Sequence, residues 1–281
     1  MKSEVYLNGR YCTAAEALVS VDDRGFLFGD GVYEAIRCFD GKLFKLEEHL
    51  VRLQHSAAKI LLELPHSAAQ LTAICRELLS RGGVQNGMIY LQVTRGAAPR
   101  THQFPHKVHP TFLAKIMETD EAILQEHRRG VKAIFRPDDR WGHCDIKSVS
   151  LLPNVLAREA ATRQGAYEAI FVHALGITEC GSSNLFIVRD GSLITAPDGD
   201  RILPGIIRET VLQLAAAAGL PVELRYPRQE EAVTADEVFI TNSIDEIAPV
   251  LAIDEKTVAE GKPGKITMLL QERLETLKQT I

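Results

Sequence analysis

A lysine serves as nucleophile or base only where its surroundings lower its affinity for a proton. Lys147, in Asp145-Ile146-Lys147-Ser148, lies between a strand-like segment and a helix, where an element end would project it. By itself it reads as an ordinary surface lysine, because most lysines are exposed. Gly176-Ile177-Thr178-Glu179-Cys180-Gly181-Ser182-Ser183-Asn184 crowds small polar residues around one acid. Glu179 there is either a carboxylate for a cationic ring nitrogen or part of a polar turn held by Thr178 and Ser182. Leu203-Pro204-Gly205-Ile206-Ile207-Arg208 opens a helix whose first backbone N–H groups and dipole would suit a phosphate, although plain loop-to-helix entries are far commoner. It has no Walker Lys-Ser/Thr, so it is no nucleotide P-loop. In Arg95-Gly96-Ala97-Ala98-Pro99-Arg100-Thr101-His102, an extended loop would turn Arg100 and His102 the same way, as a carboxylate clamp or as a solvated basic loop. His102, His106 and His109 have no acid or cysteine beside them, and Pro105 and Pro110 prevent a helical histidine face, so no metal site is expected. Tyr33, after the glycine-rich Gly29-Asp30-Gly31, and Arg52, beside an apolar stripe, read as ligand contacts or as packing and surface residues.

The elements that must position these residues are short and mixed. Asn8-Gly9, Asp40-Gly41 and Asp190-Gly191 are hairpin turn signals between strand-like runs. Glu47 to Leu64 is predicted helical, with Leu50, Leu53, Ala57, Ile60, Leu61 and Leu64 three or four apart on one face. Ser67 is the predicted N-cap of a second helix that stops at Gly82-Gly83. Met88 to Thr94 and Phe112 to Met117 read as strands. Helices are predicted at Leu152 to Gln164, Ile206 to Ala218 and Ile266 to Lys278. Glu118 to Gly130 is the most polar stretch in mid-chain. The expected organisation is therefore α+β: a smaller N-terminal domain over 1–120, a linker over 121–130, and a larger α/β domain over 131–281 that carries Lys147.

With 281 residues, 46% hydrophobic and 25% charged, the composition is that of a globular protein, not a disordered or collagen-like chain. A net charge of −5 argues against nucleic-acid binding, which needs a basic face. No apolar run approaches the ~18 residues that span a bilayer, and Met1-Lys2-Ser3-Glu4 lacks the apolar core of a signal peptide. Five widely spaced cysteines with no C-x-x-C read as reduced thiols of a cytoplasmic protein. Cys144 and Cys180, each near a candidate residue, are expected to be sensitive to oxidation.

Together and in this order the motifs are specific. DRGFLFGDGVYE, Arg52-Leu53, IYLQVTRGAAPRTHQFP, CDIKSVSLLPNVLA, YEAI, TECGSSNLF and LPGIIRETV run from about Val5 to near the C-terminus. The chain resembles the fold type IV pyridoxal-phosphate enzymes, and within them most the D-amino-acid (D-alanine) aminotransferases, through Arg100-x-His102. The resemblance implies that Lys147 holds pyridoxal 5′-phosphate and moves the proton, and that Glu179 pairs with the ring nitrogen. It implies that Arg52, the N–H groups of Ile206 and Ile207 and the Ser243 hydroxyl bind the phosphate, with Ser182 near the ring. Tyr33, Arg100 and His102 would trap the substrate α-carboxylate. It further implies two domains around one cofactor cleft, amino and 2-oxo acids as substrates, and a homodimer whose clamp loop can reach the partner's active site. Ile207 stands where the family usually has Thr, and Gly181 where it usually has Ser; weaker cofactor retention is expected from the first. Branched-chain and (R)-amine aminotransferases and aminodeoxychorismate lyases share the fold and are the alternatives. So is a non-catalytic cofactor-binding module, against which stand Lys147 and Glu179.

Overall fold

The computed structural model describes residues 4–280; Met1-Lys2-Ser3, part of the signal-peptide expectation, lie outside the described residues. In chain order the elements are β1 (Glu4–Leu7), β2 (Arg10–Thr13), α1 (Arg24–Phe28), β3 (Gly31–Phe39), β4 (Lys42–Leu43), α2 (Leu46–Lys59), α3 (Ala68–Gly82), β5 (Gly87–Thr94) and β6 (Thr111–Glu118). Then come α4 (Glu121–Arg129), β7 (Val131–Pro137), α5 (Leu152–Arg163), β8 (Glu168–His173), β9 (Gly176–Cys180), β10 (Asn184–Arg189) and β11 (Ser192–Thr195). The last are α6 (Ile206–Ala217), β12 (Val222–Leu224), α7 (Gln229–Val233), β13 (Glu237–Asn242), β14 (Glu246–Ile253), β15 (Lys256–Thr257) and α8 (Lys265–Lys278). None of the helices among the described residues is long and apolar enough to cross a membrane.

Two compact units result. The first runs to Thr119 and takes in Ile146–Leu151; the second comprises Asp120–Asp145 and the chain from Leu152. The first unit is a six-stranded antiparallel sheet in the order β2-β1-β6-β5-β3-β4. Asn8-Gly9 and Asp40-Gly41 close its hairpins, and all four residues have positive φ, the conformation such two-residue turns demand. Val32, Ile36, Ile89 and Leu91 of the sheet bury against Leu50 and Leu53 of α2 and Leu71 and Leu78 of α3. Of the face predicted for α2, Leu50, Leu53 and Ala57 are buried, but the helix ends at Lys59 rather than Leu64 and Leu61, beyond it, is 75% exposed; Ser67 forms a full capping box with Gln70 at the start of α3.

The second unit is a nine-stranded mixed sheet in the order β12-β11-β10-β13-β14-β7-β8-β9, with β15 beside β14. Asp190-Gly191 makes the β10–β11 hairpin as predicted. The stretch expected to be a linker is mostly the helix α4, capped by Asp120. Only Leu124 of its residues is buried, which is why it reads as polar loop in sequence.

The placement of Lys147 also differs from expectation, because Ile146–Leu151 joins the first unit. Its backbone docks on the start of β3: Tyr33 N–H donates to Lys147 O at 2.9 Å, and Val149 N–H donates to Gly31 O at 3.0 Å. Ile146 enters the first unit's core. A six-residue run has no periodicity to announce such a docking.

Candidate active site

In β3 successive side chains point to opposite faces. Tyr33 is half-buried, stacks on Tyr90 with centroids 5.7 Å apart, and has Lys147 Nζ 4.4 Å from its ring centroid. An ammonium over an aromatic face is attracted to it, so the tyrosine restrains the lysine. The Lys147 N–H donates to Ser56 Oγ of α2 at 3.1 Å, which fixes the backbone beneath that side chain.

Glu34, the next residue of β3, is fully buried and faces α2. Arg52 donates to its Oε1 through Nε (2.7 Å) and to its Oε2 through Nη2 (2.9 Å), and His49 Nδ1 lies 2.7 Å from Oε2. Burial alone would raise this carboxyl. The charge and paired hydrogen bonds of Arg52, with His49, outweigh it and hold Glu34 well below the usual carboxylate range. Arg52 is thereby locked in one orientation. The clamp candidates lie on an exposed loop between β5 and β6. The Arg100 guanidinium carbon is 5.1 Å from the Phe28 ring centroid, and the His102 ring meets that same ring edge-on at 5.7 Å.

In the second unit Glu179 sits near the end of β9, and is only 5% exposed. Arg140 Nη1 donates to Oε1; the Leu203 N–H (2.9 Å) and Asn184 Nδ2 (3.2 Å) donate to Oε2. Asn184 Nδ2 also donates to Leu203 O at 2.9 Å, so the acid and the loop entering α6 are one hydrogen-bonded piece. Burial pushes Glu179 up to about 7, against the opposing pull of Arg140 and the Leu203 N–H. Gly205 precedes α6 and supplies no capping side chain, which leaves the Ile206 and Ile207 N–H groups without intrahelical acceptors at the positive end of the helix dipole. A Cβ at Gly205 would lie 2.0 Å from Asn184 Oδ1, so this approach requires glycine. The Ile207 side chain is 2% exposed and belongs to the core, leaving its backbone as its polar contribution.

Ser182 and Ser183 follow β9 in the turn to β10. Both hydroxyls donate to the fully buried Glu168, at 2.8 and 2.9 Å. Ser183 Oγ accepts from Asn242 Nδ2 at 3.1 Å, and Asn242 Oδ1 accepts the N–H groups of Ile244 (2.7 Å) and Asp245 (2.8 Å). Half-buried Ser243 thus sits in a turn fastened to the Ser182-Ser183 turn. Gly181 has a structural reason: a Cβ there would come within 2.9 Å of both Arg158 Cγ and Glu168 Oε1. The surroundings of Cys144 and Cys180 bear on the oxidation expectation. Both are buried, and burial pushes the Cys144 thiol up to about 12 and that of Cys180 well above its ordinary value. Such burial disfavours the thiolate through which oxidation proceeds.

Lys147, Tyr33, Arg52, Arg100 and His102 therefore belong to the first unit, and Glu179, Ser182, Ile206, Ile207 and Ser243 to the second. The partners Glu34, His49 and Arg140 were not singled out from sequence. The acidic-basic run Asp138-Asp139-Arg140 after a strand was the available signal, since Asp138 accepts from Arg140 Nε and Nη2, both at 2.9 Å.

The first unit thus offers a restrained lysine, and the second a buried acid and an uncapped helix N-terminus. Residues 31–253 match the family described as amino-transferase class IV, and the chain belongs to that family. It is 41% identical to the D-alanine aminotransferase of Staphylococcus haemolyticus over 271 residues, 96% of each chain. It is 41% identical to that of Bacillus licheniformis over 272 residues, 97% of this chain and 96% of the relative. Among solved structures, the branched-chain amino acid aminotransferase of Escherichia coli superposes with a TM-score of 0.92 at 26% identity, covering 99% of this chain and 95% of that one. The T.th. branched-chain enzyme, solved with pyridoxamine 5′-phosphate, gives 0.91 at 25% identity and the same coverage. The fold is that of the fold type IV aminotransferases, as the sequence motifs implied.

Proposed function

We propose that this aminotransferase uses pyridoxal 5′-phosphate to exchange amino groups between D-amino acids and 2-oxo acids, D-alanine and 2-oxoglutarate foremost. The residues fit that cofactor. There is an amine at Lys147, an acid at Glu179 able to sit beside a ring nitrogen, and uncapped N–H groups of α6 reached by a backbone that only glycine permits. Arg52, Ser243 and the N–H groups of Ile206 and Ile207 would hold its phosphate, and Ser182 would border the ring through the turn that Glu168 fixes. When bound, the cofactor supplies an electron sink for the charge that develops at the substrate Cα. Lys147 Nζ, as a free amine, would take the proton from the substrate Cα and deliver a proton to Cα of the incoming oxo acid in the second half-reaction. Glu179, as a carboxylate anion, would favour a protonated ring nitrogen beside it. Tyr33, Arg100 and His102 bind the α-carboxylate, and the position of that clamp decides which Cα face meets Lys147. The amino group is left behind as the first oxo acid departs, so the two half-reactions run in ping-pong order.

The observation that carries the D-amino-acid reading is the exposed Arg100 and His102, both resting on Phe28. The named relatives support it; the structural neighbours favour a branched-chain reading. A homodimer is part of the proposal, supported by exposed apolar residues in each unit: Leu18, Val21 and Phe26 in the first, and Leu152, Val155 and Leu156 of α5 in the second. The enzyme is proposed to work in the cytoplasm. Purified protein is expected to show a visible absorption band that borohydride abolishes. With 2-oxoglutarate it is expected to turn over D-alanine faster than L-leucine or an aromatic amine. Faster turnover of L-leucine overturns the D-specific reading, and absence of the band overturns the cofactor.

A further inference from the structure

Arg24 and Arg95 are buried arginines, 3% and 6% exposed, that have no place in the chemistry above. They share one carboxylate. Asp30 Oδ2 accepts from Arg24 Nε at 2.8 Å and from Arg95 Nε at 2.9 Å, while Oδ1 accepts from Arg95 Nη2 at 3.0 Å. The remaining donors turn to backbone. Arg24 faces three successive carbonyls of the clamp loop: Thr101 at 2.7 Å, His102 at 3.5 Å and Gln103 at 3.4 Å. Arg95 donates to Ile60 O (2.7 Å) and Leu61 O (2.9 Å) at the C-terminal end of α2, and its guanidinium carbon lies 3.7 Å from the Phe104 ring centroid. Phe28, on which Arg100 and His102 rest, also has the Arg24 guanidinium 4.8 Å from its centroid. Burial would raise Asp30, but the two guanidinium groups outweigh it and hold it below the usual carboxylate range.

An exposed loop has no core to fix it, and a guanidinium fork reaches several carbonyls at once where an ammonium cannot. We propose that Arg24 and Arg95, joined through Asp30, form a strap that holds the loop carrying Arg100 and His102 at a set distance from α2, and that Arg24 is a positioning residue. This inference rests on the assignment of Arg100 and His102 to the substrate carboxylate. The strap touches no reacting atom. Its loss weakens the hold on substrate and leaves the chemical step intact.

Arg24→Lys retains a cation for Asp30 and gives up the multiple carbonyl bonds. In the holoenzyme it is expected to raise KM for D-alanine and 2-oxoglutarate about tenfold, with kcat changed less than about twofold. The visible cofactor band is expected to stay unchanged, and trypsin to cut faster after Arg100 and Lys107. Phe28→Leu removes the ring under the clamp without touching buried charge, and is expected to give the same KM-only pattern, more weakly. It keeps the inference testable if Arg24→Lys does not fold. Arg100→Ala is the reference. If it raises KM while Arg24→Lys or, failing that, Phe28→Leu does not, the strap is overturned and the clamp stands. If Arg100→Ala leaves KM unmoved, the clamp assignment falls, and the inference with it.

Discussion

Glu34 in the first unit and Glu179 in the second are both deeply buried, and both receive an arginine, yet their proton affinities move in opposite directions. Arg52 gives Glu34 two donors of its fork, and His49 adds a third contact. Arg140 gives Glu179 one nitrogen and commits Nε and Nη2 to Asp138, whose own charge works against ionisation of Glu179. A carboxylate bound by two donors of one guanidinium is a fixed structural charge. One that shares its arginine with a second acid keeps a proton affinity suited to neutral pH, and is available to answer a charged ligand.

The largest effect expected from breaking this pair of sites is at Glu179. Glu179→Gln is expected to lower kcat by about a hundredfold or more, the usual range for a lost electrostatic partner of the reacting system, in steady-state assays with D-alanine. The same variant tests the proton affinity. A carboxyl raised in the folded state binds protons that the unfolded chain has released. Its contribution therefore falls as pH rises from its ordinary range to about 7, by roughly 3 kcal/mol once fully ionised. Glu179→Gln should consequently stabilise the ligand-free protein in thermal unfolding at about pH 8 more than at about pH 5. Equal shifts at the two values would show that Glu179 is an ordinary ionised acid.

Glu34→Gln should do the reverse. It leaves the Arg52 guanidinium buried without its counter-charge, and is expected to cost about 3–5 kcal/mol in denaturant unfolding at neutral pH. The sign follows from the lowered proton affinity: this stabilisation is present above the ordinary carboxylate range and is lost as pH falls through the lower folded value. The cost should shrink in acid. A variant as stable as the parent would remove the distinction between the two sites.

The smallest expected effect is at Asp138. Asp138→Asn removes the competing charge and loosens the hold on Arg140, so the acid limb of the kcat–pH profile assigned to Glu179 should move downward. An upward move would show that Asp138 acts chiefly by orienting Arg140.

Legibility from sequence followed the range of the interactions. Asn8-Gly9, Asp40-Gly41 and Asp190-Gly191 were readable because a two-residue turn is decided by its own residues. The buried face of α2 was readable from its period as far as Ala57, but its end at Lys59 was not. β9 was not, because Thr178 and Glu179 are polar residues made acceptable in a buried strand by Asp138 and Arg140, 40 and 39 residues away. The family motifs named Lys147 and Arg52, but nothing in their spacing indicated Glu34 as the residue that orients Arg52. That pairing depends on the packing of α2 across β3.

The docking of Ile146–Leu151 on β3 also sets an order of events. Synthesis proceeds from the N-terminus at roughly 5–20 residues per second. The strand that bears Tyr33 is thus made seconds before the segment that bears Lys147. A nascent chain can assemble the six-stranded sheet while its edge beside Tyr33 still awaits a segment the ribosome has yet to release. The lysine segment can join that sheet only after its release, as a long-range contact, and such contacts slow folding. On the role proposed for Lys147, chemical competence is in this sense a late milestone in the life of each molecule.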